Sequence, residues 1–475
     1  MTAPELPSVS EATSHTPPAR IVNWEFWVWV GCILVLTLGV AVVGAAWAAR
    51  HTLISGERLS VAQQKAVLAV ASFPGTMRDA LQEFMWQFSD DPLPLLMERA
   101  ATEKPYWVRH FPEPTDPGYL LFSGVDAKAK QSIVELIRIS DGKSMARWVP
   151  DWKHILSNTH AAKGKTLPNI KTLRAIHPIL MSNGDIVFNN SYSLIRMSIC
   201  ESKPLWQLDN LSHHSIELDS KGYIITLSKS DQLFPIANWD QLEWEDDSLA
   251  KISPSGVIVQ NSSFAKILLN NNLNALFLGI GGGDYKSGDP IHLNQITPAL
   301  MDSEFWKKDD LLISSRFLST VFLYRPSTDK IIWYQTGPWM NQHSVEFLDN
   351  HRISVFNNNN VVRRPTDFVK VEDHNTVMVY DFNTGQTIEP FKLLLSEAKP
   401  QTTSEGRARI LPDGGLFIEE TNYGRLLRFS KDKLLWSLVN DNSKKNIGIL
   451  SWSRYLTQSE VRDSLYAIES NKCGK

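Results

Sequence analysis

The rhythm of apolar positions changes twice along this chain. Residues Phe26 to Ala49 form a stretch of 24 positions without a charge, long enough to cross about 30 Å of hydrocarbon as a helix. Between residues 58 and 104, Ala, Leu, Met and Gln recur every three or four positions, as in Ser60-Val-Ala-Gln-Gln-Lys-Ala-Val-Leu and Met77-Arg-Asp-Ala-Leu-Gln-Glu-Phe-Met. That spacing predicts helices, broken at Pro74-Gly75 and again at Pro92 and Pro94. From about residue 115 the apolar runs become short and are separated by Asp, Asn and Gly, which predicts strands and turns.

The strand region repeats itself. A turn followed by an apolar strand appears as Ser182-Asn-Gly-Asp-Ile-Val-Phe-Asn, Asp219-Ser-Lys-Gly-Tyr-Ile-Ile-Thr, Asp349-Asn-His-Arg-Ile-Ser-Val-Phe and Pro412-Asp-Gly-Gly-Leu-Phe-Ile. A further strand closes near a tryptophan at Trp148, Trp206, Trp333 and Trp436. Six units start near residues 118, 175, 212, 291, 342 and 406. A four-stranded antiparallel unit cannot bury both faces alone, but six arranged radially bury them against one another. The expected fold class is all-β: a six-bladed β-propeller over residues 115–460, with Ile447-Gly-Ile-Leu-Ser-Trp-Ser-Arg-Tyr-Leu adding a strand to the first blade. Before it stand a disordered tail (1–23), a transmembrane helix (24–49) and a helical stalk or cap (50–114); a C-terminal tail (461–475) follows.

Composition narrows this picture. The 475 residues carry 48 Lys plus Arg against 51 Asp plus Glu, a net charge of −3, so no basic surface argues for nucleic acid. Trp24, Trp27, Trp29 and Trp47 bracket the apolar run as an interfacial belt would. Ala46-Trp47-Ala48 resembles a signal-peptidase site, but the long acidic leader and the length of the run favour an uncleaved anchor. A positive-inside count, with Arg50, Arg58 and Lys65 after the span and Arg20 before it, would put the large domain in the cytoplasm. Cys32, Cys200 and Cys473 form no metal spacing. With Cys32 in the apolar run, Cys200–Cys473 is the one internal disulfide open to the chain, the alternative being two free thiols.

Three repeat openings carry histidine: His214-Ser-Ile-Glu-Leu, His292-Leu-Asn294-Gln-Ile and His343-Ser-Val-Glu-Phe. The first strand of a propeller blade lines the channel, so these imidazoles converge on one axial site if the repeat reading holds. Asn294, two residues after His292, shares its strand face. Arg316 follows in Leu-Leu-Ile-Ser-Ser-Arg. His177 opens the second unit in the same register but reads as structural, because Pro178 follows and no polar partner is evident. His213 is expected on the opposite face from His214. Arg407 or Arg409 takes the equivalent place in the sixth unit. Imidazoles with a guanidinium suit a small tetrahedral anion; a zinc centre fits less well, since no carboxylate or cysteine joins in phase and arginine beside a cation is unfavourable. Gly279-Ile-Gly-Gly-Gly-Asp-Tyr-Lys-Ser-Gly lacks the phosphate-loop spacing and reads as a flexible loop at the channel mouth.

On Asp289-Pro-Ile-His292-Leu-Asn294-Gln-Ile, Asp310-Leu-Leu-Ile-Ser-Ser-Arg316, Gln342-His343-Ser-Val-Glu-Phe-Leu-Asp-Asn and His214-Ser-Ile-Glu-Leu, the chain resembles the bacterial arylsulfotransferases. The resemblance spans about residues 115–460. It implies a six-bladed propeller that moves a sulfuryl group from a phenolic sulfate to a phenolic or hydroxyl acceptor by a ping-pong route. In it His343 matches the nucleophile that becomes sulfated. His292, Asn294 and Arg316 match the residues holding the sulfuryl oxygens, and His214 matches a channel histidine assisting proton transfer. No cofactor is implied. The family's periplasmic setting places the domain outside the cytoplasm, against the charge count. The family's N-terminal β-sandwich, linked to dimer formation, has no counterpart in this chain's expected N-terminal elements.

Two other classes fit the fold pattern. One is a non-catalytic binding or scaffold propeller, since propellers host many functions. The other is a quinone-cofactor propeller, suggested by the turns Ser327-Thr-Asp-Lys-Ile-Ile-Trp and Asn383-Thr-Gly-Gln, although its usual adjacent cysteines and calcium carboxylates are not evident.

Overall fold

The computed structural model describes residues 24–54, 106–109, 116–126, 128–160, 170–209, 211–230, 246–280, 289–363, 368–443 and 446–470. Two units are present, Met1–Asp90 and Asp91–Lys475. In the first, one helix runs Trp24–Ile54. Its window Trp27–Trp47 has a mean hydropathy of 2.5 and none of it is buried, so it is long and apolar enough to cross a membrane. A signal sequence meets the same criterion. The expected helical segment lies largely outside the described residues, but residues 106–109, assigned to it from sequence, form a strand instead.

The second unit is a six-bladed β-propeller. Its blades are four-stranded antiparallel sheets, whose strands fall in 119–148 (blade 1), 176–209 (blade 2), 213–263 (blade 3), 293–336 (blade 4), 343–388 (blade 5) and 407–439 (blade 6). The unit starts read from the repeat lie within two residues of these first strands. Blade 1 takes its innermost strand, Arg454–Leu456, from the C-terminal end of the chain. The opening strand of the first unit, Tyr119–Asp126, is therefore second in its blade. Tyr106–Arg109 adds a fifth, outer strand to blade 6 through Trp436–Val439. The C-terminal strand Arg454–Leu456 thus closes the ring, setting blade 1 against blade 6.

The core is distributed between blades. Separate apolar clusters fill the contacts of blades 1 and 2, 2 and 3, 3 and 4, 4 and 5, 5 and 6, and 6 and 1. A buried Phe or Leu in such a cluster contributes about 1.5–3 kcal/mol. The residues assigned to a C-terminal tail contribute too. Gln458–Ser470 is a helix whose Val461, Leu465 and Ile468 pack into the cluster of blades 1 and 2. Their spacing at positions i, i+4 and i+7 makes one apolar face. Cys200 is disulfide-bonded and Cys32 is free and exposed; Cys473 lies outside the described residues. Of the glycine-rich stretch, Gly279 and Ile280 end a π-helical turn, and residues 281–288 lie outside the described residues.

Polar side chains tie each blade to the next. Ser123 donates to the Ala175 carbonyl, Asn189 to that of His214, Ser215 to that of Ile296, Asn294 to that of Gln342, Ser344 to that of Ala408 and Arg409 to that of Tyr455. All six blade contacts are bridged. At the closure, the Asp116 carboxylate accepts from Trp436 Nε1 at 2.9 Å and from the Tyr455 hydroxyl.

Part of the channel is filled by a buried ion network. Arg454 pairs with Glu217 at 2.9 Å and donates to His177 Nδ1 at 2.8 Å. His177 Nε2 lies 3.3 Å from Gln295 Oε1, so the imidazole is neutral and structural, with partners on blades 1 and 4. Burial, and then the charges of Arg454 and Arg407, hold its pKa well below the usual histidine value.

Two outcomes follow. Tyr455→Phe removes one closure tether without a cavity and is expected to cost about 1–2 kcal/mol, read from urea unfolding. His177 binds a proton less readily folded than unfolded. Its contribution is therefore complete above the unfolded value of about 6.5 and is lost as pH falls below it. Wild-type stability relative to His177→Gln is expected to decline by up to about 1.4 kcal/mol per pH unit below that point, measured by unfolding from pH 7.5 to 5.

Candidate functional site

Each histidine on the channel wall is placed by a local irregularity of its strand. The innermost strands of blades 2 to 5 carry β-bulges at their entries. His177, His214 and His292 have φ of +54°, +56° and +50°, and Trp452 on the closure segment has +61°. Left-handed backbone is uncommon for residues with a Cβ, and bulges re-aim side chains. Regular alternation is therefore suspended where the imidazoles sit, and they turn toward one another.

The rings of His214 and His292 are 5.1 Å apart between centroids, and those of His214 and His343 6.5 Å. Trp452 stands 5.9 Å from His214. Arg316 donates its backbone N–H to the His292 carbonyl at 2.9 Å, and its guanidinium lies against Phe317, whose ring is 4.6 Å from that of His292. The repeat reading thus brings His214, His292, His343 and Arg316 together. Asn294 is built into the wall beside them: its amide nitrogen donates to the Gln342 carbonyl at 2.7 Å, and its Oδ1 is buried without a partner.

Hydrogen bonds define the state of His343. Asn358 donates its amide to the carbonyls of Thr402 and Glu405, so its Oδ1 accepts from His343 Nδ1 at 2.6 Å. That leaves the lone pair on Nε2, which accepts the Glu405 backbone N–H at 3.1 Å. Glu405 is held by a two-pronged ion pair with Arg174. Gly406 follows at φ +96°, where a Cβ would strike Phe356 and Thr402. Burial and then the Arg316 charge hold the His343 pKa well below the usual value, so the ring is neutral. Burial, and then His213, His292, His343 and Arg316, depress the His214 pKa likewise.

A carboxylate stands behind one of these rings. Asp289 Oδ2 is 2.5 Å from His292 Nδ1. Burial pushes the Asp289 carboxyl up, but the His292 charge and hydrogen bond outweigh it and the net shift is downward. A carboxylate therefore does join the imidazoles, on the nitrogen turned away from the channel. Among the described residues no three His, Cys, Asp or Glu side chains are grouped to hold a metal. Burial depresses the Arg316 pKa while Asp289 and Glu405 oppose it; guanidinium remains charged regardless. Arg316 Nε and Trp452 Nε1 are buried donors without hydrogen-bond partners.

Sequence reasoning misplaced three residues here. His213 does not face away: its Nδ1 is 2.8 Å from His214 Nδ1, because the bulge between Thr226 and Leu227 takes both histidines out of alternation. Arg407 and Arg409 do not join the imidazoles. They lie further along the innermost strand, where Arg407 pairs with Glu346 at 3.0 Å and Arg409 with Glu460 at 2.7 Å. The sixth blade instead contributes the Glu405 N–H. Asp289, Asn358 and Trp452 were also missed; of these only Asp289 has a local signal, the three-residue spacing of Asp289-Pro-Ile-His292.

Comparison with known proteins agrees in part. No curated protein matches the chain. Solved structures with a similar course include a Bacteroides caccae protein of unknown function (12% identity, 72% of this chain, 99% of that one, TM-score 0.42). Others are the Neurospora crassa Pan2 WD40 domain (10%, 76%, 97%, 0.38) and virginiamycin B lyase from Staphylococcus aureus (12%, 74%, 99%, 0.36). The family described as Arylsulfotransferase (ASST) matches residues 183–441, more than half of the chain and all the imidazoles of the site. The chain belongs to the arylsulfotransferase family.

Proposed function

We propose that the protein transfers a sulfuryl group from an aryl sulfate to a phenolic or hydroxyl acceptor, with His343 as the group carried between them. The observation that carries this reading is the neutral, Nδ1-protonated His343 within one pocket with His214, His292 and a guanidinium whose Nε has no partner. Nε2 attacks sulfur, the S–O bond to the aryl oxygen breaks, and His214 gives that oxygen a proton. The acceptor oxygen then attacks sulfur, the N–S bond breaks, and the acceptor's proton passes to His214. Splitting one displacement into two is the use of covalent catalysis.

Charge on the nonbridging oxygens is met by fixed donors. Arg316 supplies one face of the pocket. Asp289 against Nδ1 fixes the orientation of the His292 ring toward the transferred group. Asn294 keeps an amide hydrogen beyond the one it gives to Gln342. The Glu405 N–H, which holds the Nε2 lone pair at rest, must release it for attack and is then aimed at a sulfuryl oxygen. Donors fixed in a dry site cost no reorganisation as the charge develops.

The N-terminal helix supports a membrane anchor, and the bonded state of Cys200 supports an oxidising compartment such as the periplasm. Protease added to the outside of spheroplasts is then expected to remove the propeller.

Incubation with an aryl sulfate is expected to add one sulfuryl group to the intact mass, mapping to His343 and leaving when a phenol is supplied. His343→Ala is expected to abolish transfer, and Arg316→Gln to lower kcat by about 10²–10³-fold. Wild-type protein that takes up no sulfuryl group from a panel of aryl sulfates would overturn the reading.

A further inference from the structure

His214 poses a problem for the proton step. It must hold the acceptor's proton from one turnover to the next, until a leaving aryl oxygen takes it, yet burial, three imidazoles and Arg316 oppose a charge there. The structure offers a route out of the pocket. His213 Nδ1 is 2.8 Å from His214 Nδ1, with the rings edge to face and 5.0 Å apart. On the other side, His213 Nε2 is 3.1 Å from Asp247 Oδ1, within ion-pair reach though off the line of a hydrogen bond. Asp247 Oδ2 accepts the Leu293 N–H at 2.6 Å, which orients the carboxylate. His213 and Asp247 are 7% and 2% exposed, so neither group serves solvent.

We infer that Asp247 and His213 form a proton relay behind His214, carrying its positive charge away from the sulfuryl pocket. The inference rests on the transfer reading above. Two nitrogens facing each other at Nδ1 share a single proton. When the pair is neutral, as after sulfuryl uptake, and Asp247 faces the Nε2–H of His213, His213 Nδ1 is a lone pair, His214 carries Nδ1–H, and His214 Nε2 is a free base toward the pocket. When the acceptor hydroxyl gives its proton to His214 Nε2, the Nδ1 proton of His214 moves to His213 Nδ1. His213 becomes the cation, beside the Asp247 carboxylate. The free enzyme keeps that extra proton on the pair, and in the next turnover His214 Nε2–H protonates the leaving aryl oxide while the Nδ1 proton of His213 returns to His214 Nδ1. No proton is gained or lost over the cycle, and neither donor nor acceptor touches His213, which is therefore a positioning residue.

The groups around the pair agree with this direction. His292, His343 and Arg316 act on His214 from the pocket side. Asp247 faces His213, and Asp289, behind His292, interacts with both His213 and Lys229. Asp246, next to Asp247, has its carboxyl pushed up to about 7, chiefly by burial.

The test compares a donor with a poor leaving group, phenyl sulfate, with one whose phenol is acidic, 4-nitrophenyl sulfate. Proton delivery is worth about 10²–10⁴-fold where the leaving group needs it. His213→Gln accepts a hydrogen bond from His214 but cannot carry a proton, so the kcat/KM ratio between the two donors is expected to shift by about 10²-fold against phenyl sulfate. Asp247→Asn is expected to do the same by a different route. Its amide would face His213 Nε2 and force the tautomers of both rings to reverse. Nitrogen-15 NMR of the imidazoles, read without turnover at alkaline pH where the pair is neutral, is expected to show His214 as Nδ1–H in the wild type and as Nε2–H in Asp247→Asn. Equal losses on both donors, or an unchanged tautomer, overturn the relay while transfer itself stands. Wild-type protein inactive on both donors with no sulfuryl uptake overturns the transfer reading instead, and the NMR comparison still decides whether the relay exists.

Discussion

Hydrogen bonds between the blades hold the channel in one shape. At each of the six contacts a side chain from one blade reaches a backbone carbonyl on the next or at its entry, and several of these bonds are completely buried. Such a bond contributes only about 0.5–1.5 kcal/mol, but leaving one end unmade in the interior costs about 1–3 kcal/mol. The ring therefore tolerates little slippage of one blade against another. Two of the bonds end at the site itself: Asn189 holds the carbonyl of His214, and Asn294 holds that of Gln342, just before His343.

Local strain and global closure act together at this wall. Left-handed residues cost energy and persist where surrounding structure over-determines them. Here the bulged strand entries are pinned from the neighbouring blade, and the strain aims imidazoles inward. Further along the channel, the Arg454–Glu217–His177 network occupies space that would otherwise admit water. A site of this kind has a low effective dielectric, so each fixed donor counts for more than it would in water, and each unpaired charge is correspondingly expensive. This explains why Asp289 backs His292, why Asn358 backs His343 and why Asp247 stands behind the His213–His214 pair.

Much of the architecture was legible because it is periodic. Asp-Asn-Gly turns followed by apolar strands recur, and closing tryptophans recur, since each blade must bury the same two faces. Elements outside the period were read less well. Tyr106–Arg109 is too short to signal a strand, and becomes one through pairing with Trp436–Val439. Gln458–Ser470 follows the last repeat, and its apolar face has meaning only against blades 1 and 2.

The amino-acid order by itself determined the all-β class, the six units and the histidines that open three of them, because side-chain period and turn chemistry are local properties. It also marked Arg316 by its place after a strand. What tertiary structure decided is which way side chains face once alternation fails. His213 joins the site through a bulge, Arg407 and Arg409 leave it through their register, and Glu405 enters it through a backbone N–H that has no side-chain identity to read. Those outcomes depend on contacts between blades far apart in the chain, and such contacts exist only after the ring has closed.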